Sequence, residues 1–145
     1  MSKLTDLVHG HYDAANAGDI DGGLEHFDED VVTVTPDGIL RGLAPFRSMG
    51  EGFLAAVPDQ KMSIRHIYEA GDTVIVEGDY SGTQTGDLVG AAGTIPATGQ
   101  SFSFPFCDVF TVANGNVVRH AIYWDNMGFL AQLGLTGSPE PQLAH

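Results

Sequence analysis

Apolar residues near the N-terminus recur at helical spacing. Leu4, Leu7, Val8, His11 and Ala15 form one stripe, with Tyr12 beside it and Ser2 or Thr5 as caps. The run "AGD" at 17–19 breaks that helix, and Ile20, Leu24 and Phe27 mark a short second one. "DVVTVT" at 30–35 is β-branched and ends at the turn signal "PDG". A third helix is predicted over residues 44–57, with Pro45 in its first turn and Phe46, Met49, Phe53 and Val57 on its apolar face.

From residue 60 the period becomes that of strands. "KMSIRHIYEA" and "TVIVEGDYSGT" flank the turn "GD" and read as a hairpin. The glycine-rich "GDLVGAAGTIPATGQ" reads as a flexible connection. It leads to a second hairpin, "SFSFPFCDVFTV" and "NVVRHAIYW" about the turn "ANG". A last helix is predicted from Asn126 to Leu135, followed by a loosely ordered tail over 138–145. No repeat or domain boundary interrupts residues 1–137, which read as a single domain. Helices followed by antiparallel strands and a terminal helix make an α+β class, with a cone around an internal pocket as its natural shape.

At 145 residues the chain is long enough for a substantial core. The net charge of −13, with only six Lys and Arg, excludes nucleic acid and an anionic membrane surface as partners. A hydrophobic, uncharged small molecule is compatible with that balance. The single cysteine, Cys107, precludes an intrachain disulfide and reads as a buried inert thiol. "MSKLTDLV" lacks the pattern of a signal peptide and no apolar run is long enough to span a bilayer, so a cytoplasmic location is expected.

Chemistry concentrates on the last two long strands. Alternation puts Phe104, Phe106, Asp108, Phe110 and Val112 on one face, where Asp108 is the lone carboxyl among apolar neighbours. If that face is inward, desolvation favours the neutral acid; if the strand is reversed, Asp108 is wet. On the next strand Val118, His120, Ile122 and Trp124 share a face. His120 is a proton shuttle or a hydrogen-bonded core residue, and Trp124 packs or lines a pocket. Asp125, directly before a helix, is a favoured N-cap that can also aim into a cleft. His11 and Tyr12, and His66 and Tyr68, are further polar groups that could converge on a pocket. Histidine spacing fits no metal motif, and neither a nucleotide-binding loop nor a serine elbow occurs, so no metal or cofactor is expected.

The stretches "AGDIDGGLEHFDEDVVTVTPDG", "YSGTQTG" and "PATGQSFSFPFCDVFTVANGNVVRHAIYWDNMGFLAQLGL" resemble the SnoaL-like polyketide cyclases. Their superfamily includes nuclear transport factor 2, ketosteroid isomerase and limonene epoxide hydrolase. The resemblance implies the NTF2-like α+β barrel: a strongly curved, mostly antiparallel sheet wrapped by helices, with a pocket in its cone, as a homodimer. It implies that Asp125, in "YWD", is the general acid/base of an intramolecular aldol closure. It also implies that Asp108 is a protonated oxyanion-hole acid, with Tyr12 or His11 as second donor. Phe53, His66, Phe104, Phe106, His120, Ile122 and Trp124 are then the substrate-binding residues.

Two departures narrow the choice. Thr35, followed by Pro36, occupies the position of the isomerase base, unless Asp37 substitutes. Gly78 and Tyr80 replace the Arg-x-Asp of the epoxide hydrolases. A cofactor-independent cyclase acting on a polyketide-like carbonyl compound is therefore the first expectation. The alternatives are a non-catalytic small-molecule-binding protein, an isomerase- or epoxide-hydrolase-like enzyme, and an interaction module with a filled pocket.

Overall fold

The computed structural model describes residues 2–90 and 93–135, so the tail expected at 138–145 lies outside the described residues. The elements are α1 (Lys3–Asn16), α2 (Ile20–Leu24), β1 (Phe27–Thr35), β2 (Gly38–Arg41), α3 (Leu43–Ala56), β3 (Lys61–Ala70) and β4 (Thr73–Thr83). They continue with β5 (Leu88–Gly90), β6 (Gly93–Ile95), β7 (Ser101–Ala113), β8 (Asn116–Trp124) and α4 (Asn126–Gln132). Six strands form one sheet in the order β2-β1-β8-β7-β4-β3, and β5-β6 pair separately. All pairings in the large sheet are antiparallel except β1 with β8. This is the NTF2-like α+β barrel: the helices lie against the concave face, and the core fills the space between.

Local chemistry explains the helix ends. Ser2 caps α1 by accepting the Thr5 N–H at 3.1 Å. Asp19 caps α2 by accepting the Gly22 N–H at 2.9 Å. Asp125 caps α4 in the same way, accepting the Gly128 N–H at 2.9 Å. Phe27, assigned by spacing to the second helix, instead opens β1, because α2 ends after one turn.

The sheet curves because its ladders slip. Register shifts occur between Ile64 and His66 on β3, between Val117 and Arg119 on β8 opposite Val112 and Thr111, and between Phe27 and Val32 on β1. An extra residue bends its strand and reverses the in–out parity beyond it. Past the first shift Ile67 turns toward the core and His66 lies exposed, so His66 is not the pocket residue that uniform alternation predicts. The same effect puts Val117, rather than Val118, in the core of β8.

The glycine-rich connection is better anchored than its composition suggests. Leu88 and Ile95 pair across the short β5–β6 sheet. Gln84, wholly buried, donates to the carbonyls of Gly86, Ile95 and Pro96, while its side-chain oxygen accepts from Thr98. A different glycine answers a packing need. A Cβ on Gly78 would lie 2.4 Å from the Ser63 carbonyl oxygen and 2.8 Å from the Phe106 ring. Phe106 therefore occupies the space that a side chain at position 78 would need.

Asp125→Ala is expected to lower stability by about 1 kcal/mol, and Asp125→Asn to be nearly neutral because Asn caps as well as Asp. Urea unfolding of the three proteins checks both values.

Candidate functional site

A cavity of about 140 Å³ lies between the concave face of the sheet and the helices α1, α2 and α3. Its walls are mostly apolar. Phe53 and Met49 come from α3, Phe104 and Phe106 from β7, and Ile122 and Trp124 from β8. Trp124, the sole tryptophan, stacks near Phe104 at 6.5 Å and meets Phe53 edge-on at 6.3 Å. Its indole N–H donates to Asn126 at 3.1 Å.

The polar side chains gather where the two central strands of the sheet cross the cavity. β7 carries Asp108, only 5% exposed, and β8 carries His120, only 1% exposed. Asp108 pairs in register with Ile122, and Phe110 with His120, so Asp108 and His120 are diagonal neighbours on one face. His120 Nε2 lies 3.8 Å from Asp108 Oδ2. Tyr12 reaches from α1, its hydroxyl donating to Asp108 Oδ2 from behind the cavity wall. Burial and the adjoining Asp108 carboxyl hold the Tyr12 phenol well above its ordinary pKa, so it remains a donor.

Aromatic rings pack around His120 on several sides. Phe110 stacks on its ring at 4.4 Å, while Phe46 and Phe27 meet it edge-to-face at 5.2 and 5.7 Å. His11, on α1, faces the same ring at 6.1 Å and shares an Nδ1 hydrogen bond of 2.7 Å with the Gly23 carbonyl oxygen. As that oxygen can only accept, Nδ1 carries the proton. Burial first, and then the neighbouring His120, lower the His11 pKa from 6.5 to about 4, so at neutral pH it is an uncharged wall of the cavity.

The inward choice for β7 is the one adopted: Phe104, Phe106, Asp108, Phe110 and Val112 are all buried. Phe53, Phe104, Phe106, Asp108, His120, Ile122 and Trp124 all line the cavity. Three expected residues do not, Tyr12 standing behind the cavity wall and Asp125 and His66 elsewhere. Asp125 is exposed, stands outside the lining and spends its carboxylate on the α4 cap, while His66 faces outward beside Tyr68. Thr35, at the position of the isomerase base, belongs to the β1–β2 turn. Its hydroxyl donates to the Gly38 carbonyl and accepts from the Asp37 N–H, so neither residue lines the cavity. Cys107 alternates away from the cavity and is half-buried rather than fully buried. Burial, with Asp108 and Glu77 nearby, pushes its thiol pKa up, which keeps it a poor nucleophile.

Sequence reasoning missed three residues near the cavity. Tyr80 donates to Gln60 at 2.9 Å, fixing the amide at one side of the lining. Arg47 is the only Lys or Arg of the lining among the described residues and is paired with exposed Asp21 at 2.7 Å. Isolated polar residues on apolar elements carry no periodic signal, so only the fold could gather them. Among the described residues no group of three or more His, Cys, Asp and Glu is placed to hold a metal ion, and no helix is long and apolar enough to cross a membrane.

The lowered His11 pKa has a consequence for stability. Between about pH 6.5 and 4 the unfolded chain binds a proton at this position that the folded chain does not, so His11 lowers stability progressively as pH falls through that window. Replacing His11 with Phe is expected to flatten the pH dependence there, by on the order of 2–3 kcal/mol at its acid end. Urea unfolding of the two proteins from pH 4.5 to 7.5 measures the difference, and parallel curves would contradict it.

The comparisons with known proteins agree with this architecture. AclR of Streptomyces galilaeus, described as a candidate hydroxylase, superposes with a TM-score of 0.80 at 25% identity, covering 92% of this chain and 97% of its own. TsrD of Streptomyces laurentii gives 0.79 at 26% identity, covering 92% and 96%. IdmH of Streptomyces antibioticus, described as a candidate polyketide cyclase, gives 0.74 at 26% identity, covering 92% and 99%. No curated protein matches the chain. The family profile for SnoaL-like polyketide cyclase matches residues 5–133, and the chain belongs to that family.

Proposed function

We propose that the protein is an acid/base enzyme that closes a ring in a hydrophobic, polyketide-like carbonyl compound, with Asp108 as the group that moves the proton. The observation that carries this reading is the meeting of Asp108 and His120, backed by Tyr12, at one end of a mostly apolar cavity. A buried carboxyl in such surroundings is maintained at a cost in stability, and functional sites are where such groups cluster.

The chemistry follows from the two oxygens of Asp108. Oδ2 is occupied by the Tyr12 hydroxyl, whereas Oδ1 has no partner among the described residues. In the proposed reaction Oδ1 takes the proton from the carbon next to a substrate carbonyl. The enolate attacks a second carbonyl of the same molecule, forming a carbon–carbon bond, and the new alkoxide receives the proton back from Asp108. The carboxylate is regenerated and no other reagent is consumed. The aromatic walls supply orientation, which contributes much of the rate in an intramolecular closure. The base role that the resemblance gave to Asp125 passes in this reading to Asp108, because Asp125 stands outside the cavity. Membership of a cyclase family and the similarity to IdmH support the substrate class.

One observation favours a second reading, a binding protein without chemistry: Asp108 Oδ1 and both His120 ring nitrogens are sealed within the wall. Substrate must displace the Asp108 side chain slightly to reach Oδ1. The interaction-module alternative expects a filled pocket, and the open cavity counts against it.

With flat aromatic ketone and phenol ligands as probes, quenching of Trp124 fluorescence reports binding. Asp108→Asn is expected to preserve binding and to lower turnover of a confirmed substrate by about 10²–10⁴-fold, the usual worth of a positioned acid/base group. Asp125→Asn should leave turnover within a factor of about two, a shift too small to change a transition-state barrier by 1 kcal/mol. Ligand binding by the wild type with no product from any scaffold would favour the binding protein instead.

A further inference from the structure

Thr33 on β1 takes no part in the reading above, yet it is wholly buried and its Oγ1 has no hydrogen-bond partner among the described residues. Three other buried polar atoms share that condition: Asp108 Oδ1 and both nitrogens of His120. Unpaired buried polar atoms are uncommon in native proteins, and four of them on adjacent inward positions require a common explanation. The ladder supplies one. Thr33 pairs in parallel register with His120, so the two side chains leave the sheet on the same face from strands about 4.8 Å apart.

The other neighbours of His120 leave few choices for its two nitrogens. Phe27, Phe46 and Phe110 offer only ring faces and edges. His11 commits its Nδ1–H to the Gly23 carbonyl, so the uncharged ring has no proton to donate to His120. Nε2 lies toward Asp108 Oδ2. The donor left for Nδ1 is the hydroxyl of Thr33, the partner of His120 in the β1–β8 ladder. A threonine hydroxyl can donate to an imidazole nitrogen that lacks a proton, while an N–H facing a carboxyl is the favourable orientation on the other side of the ring.

We propose that Thr33 is a positioning residue whose hydroxyl donates to His120 Nδ1, fixing the His120 proton on Nε2, where it faces Asp108. The consequence, which rests on the proposed function, is a division of labour within the pair. His120 presents an N–H that supports the Asp108 carboxylate and has no lone pair on that side, so Asp108 and not His120 accepts the substrate proton.

The tautomer is measured on the free full-length protein, by long-range nitrogen–proton NMR of the His120 ring at neutral pH, with His120→Gln to assign the signals. The wild type is expected to show a protonated Nε2 and an unprotonated Nδ1. Thr33→Val, close in shape and suited to a strand, is expected to move both nitrogen signals toward the average of the two tautomers, and Thr33→Ser to restore the wild-type pattern. A wild-type ring protonated at Nδ1 or at both nitrogens would overturn the proposal, as would Thr33→Val signals identical to wild type. If valine disturbs the fold, the wild-type and Thr33→Ser spectra still decide. None of these spectra depends on turnover, so an inactive protein with the expected tautomer would refute the cyclase reading and leave the role of Thr33 standing.

Discussion

Asp108 is the constraint around which the inner face of the sheet is organised. A carboxyl on the central strand β7, flanked along its face by Phe106 and Phe110, is costly to bury unless its oxygens find partners. Tyr12 supplies one from a helix 96 positions earlier in the chain. His120 approaches from the neighbouring strand. That contact fixes where α1 sits on the sheet, because Tyr12 can reach Asp108 only with the helix seated against Phe106 and Phe110. The cavity between α1, α3 and the sheet is shaped in part by this one polar requirement.

The apolar walls and the polar end depend on each other. Phe27, Phe46 and Phe110 remove water from around His120, which raises the value of each remaining electrostatic contact. A ligand filling the space beside Phe104 and Trp124 would exclude water further. The same enclosure keeps His11 uncharged at neutral pH, so the α1 wall of the cavity contributes an aromatic surface and not a positive charge near Asp108.

Much of this was legible in the sequence wherever a period was unbroken. The alternation of Phe104 through Val112 correctly placed Asp108 inside, and helical spacing correctly put Phe53 and Phe46 on the apolar face of α3. Legibility failed where a ladder slipped. One extra residue near His66 and another at Val118 reverse parity, and nothing in the local composition announces either shift. The short strand β2 and the Gln84 cluster were missed for a related reason: a four-residue edge strand and a lone buried amide have no period to detect. At Asp125 the local signal and the resemblance pointed in different directions. Capping chemistry described the side chain as the structure has it, while the resemblance placed it in the pocket. The contact of Tyr12 with Asp108 was not legible at all, because its partner lies too far along the chain for any local pattern to reveal.

The most direct test of this account is a double-mutant cycle between Tyr12 and Asp108, using Tyr12→Phe, Asp108→Asn and the pair, each unfolded in urea near neutral pH. If the hydroxyl–carboxyl contact organises the inner face, the two changes are coupled by about 1–3 kcal/mol, as for members of one buried network. Additive effects, with a coupling indistinguishable from zero, would contradict it and leave Asp108 as a polar residue that the fold merely accommodates.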